Sequence, residues 1–315
     1  MADITAARYN DLQGDVANLL GKGTGDQGYG QALESYQVGQ GDVIEADHMR
    51  NLYNDLKKLR VHQTATVPSE IALVTSGNII EESNATNRKG IAQFESLASS
   101  ANTNRLDVGA GVNLVESTTA SSSTNTDWNG TIRHDVTVTF KAYTVTNGDG
   151  STTSMSAADA RRVFFNAGGE ILFDPNLASG GSGSIITDWR NLLNAVGTVR
   201  FRRSNTTNAA YPATSGGTGG TSRGSIDLDG TFRTIYTRNA SSYSANDYTI
   251  DARQTSSSVI QFRIYFRDDK GANPNFDEAV TPTTYNYVKM YRPNDADSVT
   301  FPTAAISFST TRALG

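Results

Sequence analysis

The chain has 315 residues, enough for a sizeable core, and its formal net charge of −5 argues against binding a polyanion through bulk electrostatics. Only 19% of the residues are charged, and 29 glycines accompany a complete lack of cysteine, which excludes disulfides, thiolate nucleophiles and cysteine-ligated zinc. No stretch approaches 18 apolar residues, and the first residues lack the basic and apolar regions of a signal peptide, so we expect neither a membrane span nor a secretory leader.

The first 65 residues predict a pair of amphipathic helices, because apolar residues recur every three or four positions in two segments. The segments resemble each other, and we interpret them as two similar helices, with coincidence between two amphipathic patterns as the alternative. Short helices of this kind bury little surface alone, so we expect their apolar faces to supply inter-subunit or particle-anchoring contacts. The residues concerned are Tyr9, Leu12, Val16, Leu19, Met49, Leu52, Leu56 and Leu59.

Between these helices, Gly23, Gly25 and Gly28 spell G-x-G-x-x-G. In a dinucleotide-binding protein this motif follows a strand and opens a helix. Here a helical pattern precedes the glycines and the next element is again helical, so we predict no nucleotide site. We interpret the stretch as a flexible joint.

Residues 66–104 form a connecting segment with a weaker helix over 86–101, and beyond residue 105 the apolar period becomes two. A hairpin is predicted at "NGDG", 147–150. The alternation predicts strands at 132–142, 197–203, 231–238, 247–252, 259–267, 284–291 and 298–308.

Two helices interrupt this half. The first opens at Ser156, with Asp159 completing a capping-box pattern. The second runs from a Thr187 cap to Gly197 and carries a core stripe of Trp189, Leu192, Leu193 and Val196. The predicted fold class is α+β, mainly β. A helical arm (1–65) and the connecting segment (66–104) precede a β-sandwich-like domain (105–315) with two inserted helices.

Few residues suggest chemistry, and we predict no catalytic, cofactor-binding or metal site. The histidines His48, His62 and His134 lack metal-ligand spacing, and His134 is predicted to lie in the core. "DLDG" at 227–230 resembles part of a calcium loop but lacks the required glutamate, so we interpret it as a turn. Three acidic residues are candidates for a carboxylate pair in sugar hydrolysis, although nothing in the sequence pairs them: Glu170, Asp174 and Asp188.

Three surface features point to partners. Arg200 and Arg202 predict a positive stripe, interpreted as a solvated face or an inter-subunit ion pair, with a phosphate or sugar-acid site as the alternative. The Gly/Ser-rich loops at 178–184 and 213–225 are consistent with contacts between copies. Tyrosines expected to be exposed are candidates for stacking on sugar rings: Tyr236, Tyr243 and Tyr248.

Three stretches together carry a family resemblance that covers most of the chain. They are "ITAARYNDLQGDVANLLGKGTGDQGYGQ", "IEADHMRNLYNDLKKLRVHQ", and "ARRVFFNAGGEILF" with "DWRNLLNAVGTVRF" and "FDEAVTPTTYNYVKMYRP". The combination resembles virion structural proteins of tailed phages, notably those infecting cyanobacteria. The resemblance implies a tail or neck component without a catalytic role, and it transfers no functional residue.

We therefore expect a non-enzymatic virion component, associated with the tail, baseplate or fibre. It would be made in the host cytoplasm and would contact its own copies and other virion proteins. A receptor-binding or carbohydrate-binding module that contacts a host surface glycan is the alternative, and a glycan-degrading enzyme is the third hypothesis. The sequence favours neither nucleic acid nor a membrane as a partner.

Overall fold

A computed structural model of the chain describes residues 4–84, 86–124, 126–203, 211, 213–215, 221–222, 227–269 and 278–314. The chain divides into two compact units, each assembled from separated segments. The helical unit comprises Met1–Val115, Lys141–Gly168 and Arg292–Ala305. The sheet unit comprises Glu116–Phe140, Gly169–Tyr291 and Ile306–Gly315.

This division differs from the predicted boundaries at residues 65 and 104. The segments 141–168 and 292–305 follow or interrupt strands in sequence, yet they pack with the N-terminal helices. The connecting segment 66–104 belongs to the same unit. Residues 1–65 are therefore one part of a larger core and do not form a separate arm.

The elements alternate between the two units along the chain. The helices are α1 (Ala6–Leu20), α2 (Ala46–Thr64), α3 (Ile91–Thr103), α4 (Ala157–Asn166) and α5 (Ser184–Val196), with a 3-10 turn at Thr303–Ala305. The strands are β1 (Leu114–Thr124), β2 (Thr131–Phe140), β3 (Tyr143–Thr146), β4 (Thr152–Met155), β5 (Glu170–Leu177), β6 (Val199–Phe201), β7 (Ala213–Ser215), β8 (Thr221–Ser222), β9 (Arg233–Asn239), β10 (Asp247–Ser256), β11 (Val259–Arg267), β12 (Thr284–Pro293) and β13 (Ile306–Leu314). The α+β, mainly β class is confirmed.

Local signals explain most helix ends. The Thr5 hydroxyl caps α1 by accepting the N–H of Arg8, and α1 ends at Gly21. The predicted capping box of Ser156 and Asp159 opens α4, which satisfies backbone donors that would otherwise lack partners. The Thr187 cap is wrong, because α5 begins one turn earlier, after Gly183.

The two predicted helical stripes pack inside the helical unit. The helices α1, α2 and α3 contact one another, and all eight residues predicted to make assembly contacts are at most 3% exposed. Tyr9, Leu12, Val16 and Leu19 of α1 and Met49, Leu52, Leu56 and Leu59 of α2 belong to one core cluster with Phe94 and Leu97 of α3. The prediction that they contact other subunits is therefore wrong, since their own chain already covers them.

The sheet unit is built on two main sheets. The strand order is β1-β12-β5-β6-β7 in the five-stranded sheet and β13-β2-β11-β10-β9-β8 in the six-stranded sheet. The predicted alternation is seen on β2 and β11, where every second side chain is buried. The predicted strand at 298–308 is displaced, because β13 starts at Ile306. Val299 and Phe301 before it are buried in the helical unit.

Aromatic side chains join the inner faces of the two sheets. The ring of Phe262 in β11 lies 4.9 Å from Phe173 in β5 and 5.0 Å from Phe201 in β6. The predicted stripe on α5 is buried, and Trp189 contacts both Trp128 and Phe266. Only one of the two predicted inserted helices, α5, lies in the sheet unit, since α4 belongs to the helical unit.

Each unit buries one uncharged histidine. His62 packs edge-on against Tyr29 with centroids 4.9 Å apart, and His134 lies on the inner face of β2, as predicted. Neither ring nitrogen of either residue has a hydrogen-bond partner among the described residues. Burial disfavours the charged imidazolium and lowers the pKa of both rings from 6.5 to about 4.

We predict that these histidines make the protein less stable as the pH falls from 6.5 to 4. In that interval the unfolded chain binds a proton at each ring while the folded chain does not. The pKa difference corresponds to a loss on the order of 3 kcal/mol per histidine. Urea unfolding at several pH values measures it.

In the variants His62→Leu and His134→Leu, the free energy of unfolding should depend less on pH across this interval. The carboxylates whose pKa values are lowered, such as Asp159, remain in both variants. Their contribution to the pH dependence of the free energy of unfolding is therefore the same in the parent protein and in the variants. A variant whose stability falls as steeply as that of the parent protein would contradict the assignment.

Candidate functional site

The glycine stretch is a closed turn and not a flexible joint. Backbone N–H groups of residues 29–31 donate to carbonyls at the end of α1, including Tyr29 to Leu19 at 3.0 Å and Gly30 to Gly21 at 2.8 Å. Gly23, Gly25 and Gly28 have positive φ angles of 68°, 56° and 98°, which favour glycine. The glycines thus form a chain reversal at a helix C-terminus, which is the opposite end from a phosphate-binding helix.

The turn is held by the segment that contains α4. The Asn166 amide donates to the carbonyls of Asp26 and Gly28 at 2.9 and 3.0 Å. Arg162 donates to the carbonyl of Lys22 at 2.9 Å, and the Lys22 ammonium lies 3.2 Å from the Asp159 carboxylate. These groups serve structure, because each satisfies a backbone carbonyl or an ion pair of the turn.

The three candidate carboxylates do not form a catalytic pair. Glu170 is buried and accepts from Arg200 at 2.8 Å, with Arg202 at 3.5 Å. Asp188 is buried in α5 and accepts the backbone N–H groups of Ser242 and Tyr243. These contacts assign structural roles to both.

The remaining carboxylate, Asp174, lies 3.7 Å from the Lys289 ammonium on the neighbouring strand β12. The predicted positive stripe is likewise occupied within the chain, because Arg200 and Arg202 both face Glu170. The ion pair that the sequence suggested between subunits is intramolecular.

Of the three tyrosines predicted to be exposed, two are buried and one is half-buried. Tyr236 and Tyr248 are at most 1% exposed, so the expectation that they stack on sugars is wrong. The hydroxyl of half-buried Tyr243 lies 2.5 Å from that of Ser184. The predicted loop 178–184 is held by α5, because Arg190 of this helix donates to the carbonyls of Ala178 and Gly180.

Much of the second Gly/Ser-rich loop, at 216–220 and 223–226, lies outside the described residues. The "DLDG" stretch is irregular and ends in a bend at residues 230–231. Asp229 accepts the Thr231 N–H and pairs with Arg233 at 2.5 Å.

A polar groove lies on the outer face of the six-stranded sheet. Its volume is about 210 Å³, and its lining includes Asp135, Thr137, Gln261 and Thr311. At one wall the guanidinium groups of Arg253 and Arg263 lie 4.3 and 4.0 Å from the centre of the Phe232 ring, a cation–π arrangement. Sequence reasoning missed this groove, although the alternation on β11 already placed Gln261 and Arg263 on one polar face.

A second groove lies on the helical unit, at the start of α2. It has a volume of about 410 Å³ and includes Ile44, Val74 and Ile80 in its lining. Next to these residues in sequence, Val43 and Ile79 are 78% and 64% exposed. Sequence reasoning missed it, because these residues lie outside any amphipathic helix.

The groove wall is shaped by a turn at residues 75–78. The N–H of Asn78 donates to the carbonyl of Thr75, and the Asn78 side chain accepts the N–H of Thr75 at 3.0 Å. Lys89 also donates to the Asn78 side chain at 2.7 Å. The turn is thus fixed by side chains, so the apolar residues beside it are presented in one arrangement.

Within the described ranges, no three side chains of His, Asp or Glu gather in a way that would hold a metal ion, and none of the helices described is long and apolar enough to cross a membrane. Comparison with protein-family models, curated proteins and solved structures found no match.

We predict that Gly28→Ala destabilises the helical unit far more than Gly25→Ala. A Cβ at Gly28 would overlap the Lys22 carbonyl and lie 2.9 Å from the Gly21 oxygen, whereas one at Gly25 meets nothing within 4 Å. The positive φ alone costs about 1 kcal/mol, and the overlap should raise the Gly28 loss to on the order of 3 kcal/mol.

Chemical unfolding of both variants measures the difference, and Gly25→Ala is the control for a positive φ without a close contact. Equal losses in the two variants would show that the close approach to Lys22 is unimportant. Titration with ATP and NAD should give no saturable binding to the parent protein, and an affinity abolished by Gly23→Ala and Gly25→Ala would contradict the structural role.

Proposed function

We propose that this chain is a non-enzymatic structural component of a tailed-phage virion, associated with the tail, baseplate or fibre. The resemblance of its three sequence stretches to such proteins supports the proposal. So does the structural use of its polar groups, because Glu170, Asp188 and the glycine turn each have a partner within the chain. The protein would act by contacts with other virion proteins and with its own copies.

The observation that carries the assembly role is the exposed apolar surface at the second groove. The large apolar side chains exposed among the described residues are Val43, Val67, Leu73 and Ile79, which all come from one stretch of the helical unit. Val43 and Ile79 adjoin the groove lining in sequence. Exposed apolar surface rimmed by polar groups is typical of protein interfaces, and we propose that a neighbouring virion protein covers this groove.

The double variant Val43→Asp, Ile79→Asp should enter particles at least tenfold less than the parent protein. Each added carboxylate would have to lose its water in the interface, which is costly without a partner. Both positions are exposed, so the melting temperature should be retained. Quantitative mass spectrometry of purified particles measures incorporation.

Val67→Asp is the matched control, since Val67 is 57% exposed and, unlike Val43 and Ile79, adjoins no lining residue of the groove in sequence. It should enter particles normally. A parent protein absent from particles contradicts the virion role, and normal incorporation of the double variant contradicts the assignment to this groove.

A carbohydrate-binding role is the second candidate, and the Phe232 groove favours it. The groove has a volume of about 210 Å³, and the amide, hydroxyl and charged groups in its lining can bond sugar hydroxyls. A glycan array would then show saturable binding that Gln261→Leu abolishes and Thr131→Val, on the same outer face, does not. A lack of binding by the parent protein would remove this candidate.

A further inference from the structure

Strand β13 forms one edge of the six-stranded sheet. It pairs with β2 along its whole length in one register, from Ile306 opposite Phe140 to Leu314 opposite Ile132. In the described part of the chain, no strand pairs with its other side. Such an edge presents unpaired N–H and C=O groups that can bond another strand.

The edge strands on the two sides of the sheet unit differ in length. On one side the edge strands β7 and β8 have three and two residues. On the other, β1 and β13 have 11 and nine residues and contain neither lysine nor proline. Arg312 of β13 donates to the carbonyl of Ser123 in β1, so the two long edges are neighbours. Shortness, lysine and proline are among the usual protections of an edge, and this side lacks these three. Each strand carries one charged residue, Glu116 in β1 and Arg312 in β13.

The hydrogen-bond pattern shows which residues of β13 face outward. The N–H of Lys141 donates to the carbonyl of Ala305, and the N–H of Phe140 donates to Ser258 on the opposite side of β2. In an antiparallel ladder the bonded pairs alternate, so odd-numbered residues of β13 bond β2. The backbone groups of its even-numbered residues, Ile306, Phe308, Thr310, Arg312 and Leu314, therefore point away from the sheet.

We propose that β13 pairs in antiparallel fashion with β13 of a second copy, with Thr310 opposite Thr310 on a two-fold axis. In this register every outward-facing residue meets another outward-facing residue, which allows about ten backbone hydrogen bonds. In each copy Phe308 lies opposite Arg312 of the other copy. This pairing allows a cation–π contact and places no like charges opposite each other. A register whose axis lies between two residues would set outward-facing residues against inward-facing ones and leave these backbone groups unpaired. Registers centred on Ser309 or Thr311 would form fewer bonded pairs within β13 than the one centred on Thr310.

This self-complementarity selects a second copy over an unrelated strand as the partner. The inference rests on the proposed function only in the expectation that the chain contacts its own copies. Pairing by two-fold symmetry produces a closed dimer, in which the six-stranded sheets of the two copies join into one.

The register is tested by single cysteines, because the full chain contains none. The Cα atoms of two Thr310 residues would be about 5.5 Å apart, within the range of a disulfide. Thr310→Cys should therefore form a cross-linked dimer of twice the 33.7 kDa chain mass under mild oxidation. Ser307→Cys is the control, since its copies would lie roughly 20 Å apart and should stay unlinked.

Two single proline variants distinguish the loss of the dimer interface from the loss of the fold. Thr310→Pro removes an outward N–H and should convert the dimer to a monomer by light scattering, with a smaller loss of melting temperature than Thr311→Pro causes, because only the stabilisation from association is lost. Thr311→Pro removes an N–H that bonds β2 and should lower the melting temperature. A parent protein that is monomeric, a dimer that survives Thr310→Pro, or equal cross-linking through Ser307→Cys would overturn the proposal. Particle incorporation is a separate measurement. Absence of the parent protein from purified particles would contradict the virion role and would leave the dimer proposal unaffected.

Discussion

The helical unit depends on the fit between the glycine turn and α4. In the turn, the carbonyl groups of exposed Lys22 and Asp26 and of buried Gly28 accept hydrogen bonds from side chains, and Arg162 and Asn166 supply the donors. These donors come from a segment more than a hundred residues further along the chain. The turn and α4 therefore stabilise each other.

Closing the turn sets the course of the chain between α1 and α2. Buried Asp55 in α2 accepts the backbone N–H groups of Glu34 and Ser35 and the Ser35 hydroxyl. Burial raises the pKa of this carboxyl, and the hydrogen bonds oppose the rise. The acid thus joins the returning segment to α2, and the two apolar stripes are brought into one core where subunit contacts were expected.

The sequence predicted elements whose identity depends on local spacing. The period of α1 and α2 and the alternation on β2 and β11 each reflect one buried face, and those predictions are confirmed. The same spacing does not say what covers a face, which is why Leu12 and Leu56 were wrongly assigned to assembly. Tyr248 was misjudged although it shares the parity of Ile250 and Ala252 on β10, which are also buried.

Contacts between distant segments could not be predicted from the local sequence pattern. The pairing of Glu170 with Arg200 requires β5 and β6 to be neighbours, and nothing in the local pattern fixes that. Val299 and Phe301 fitted an alternating strand, but they pack in the helical unit, so the true strand starts later. The grooves at Phe232 and Val43 are likewise products of tertiary structure and carry no spacing signal of their own.

The interleaving of segments also has a consequence for synthesis. Gln31 bonds the backbone of Thr300 in both directions, across a separation of 269 residues, and contacts of such range slow folding because a long loop must close first. On the ribosome, α1 and α2 emerge early but must wait for residues 292–305 before their unit is complete. The N-terminal helices therefore spend most of translation without the last segment of their unit, and a chain that stops before that segment would leave both units unfinished.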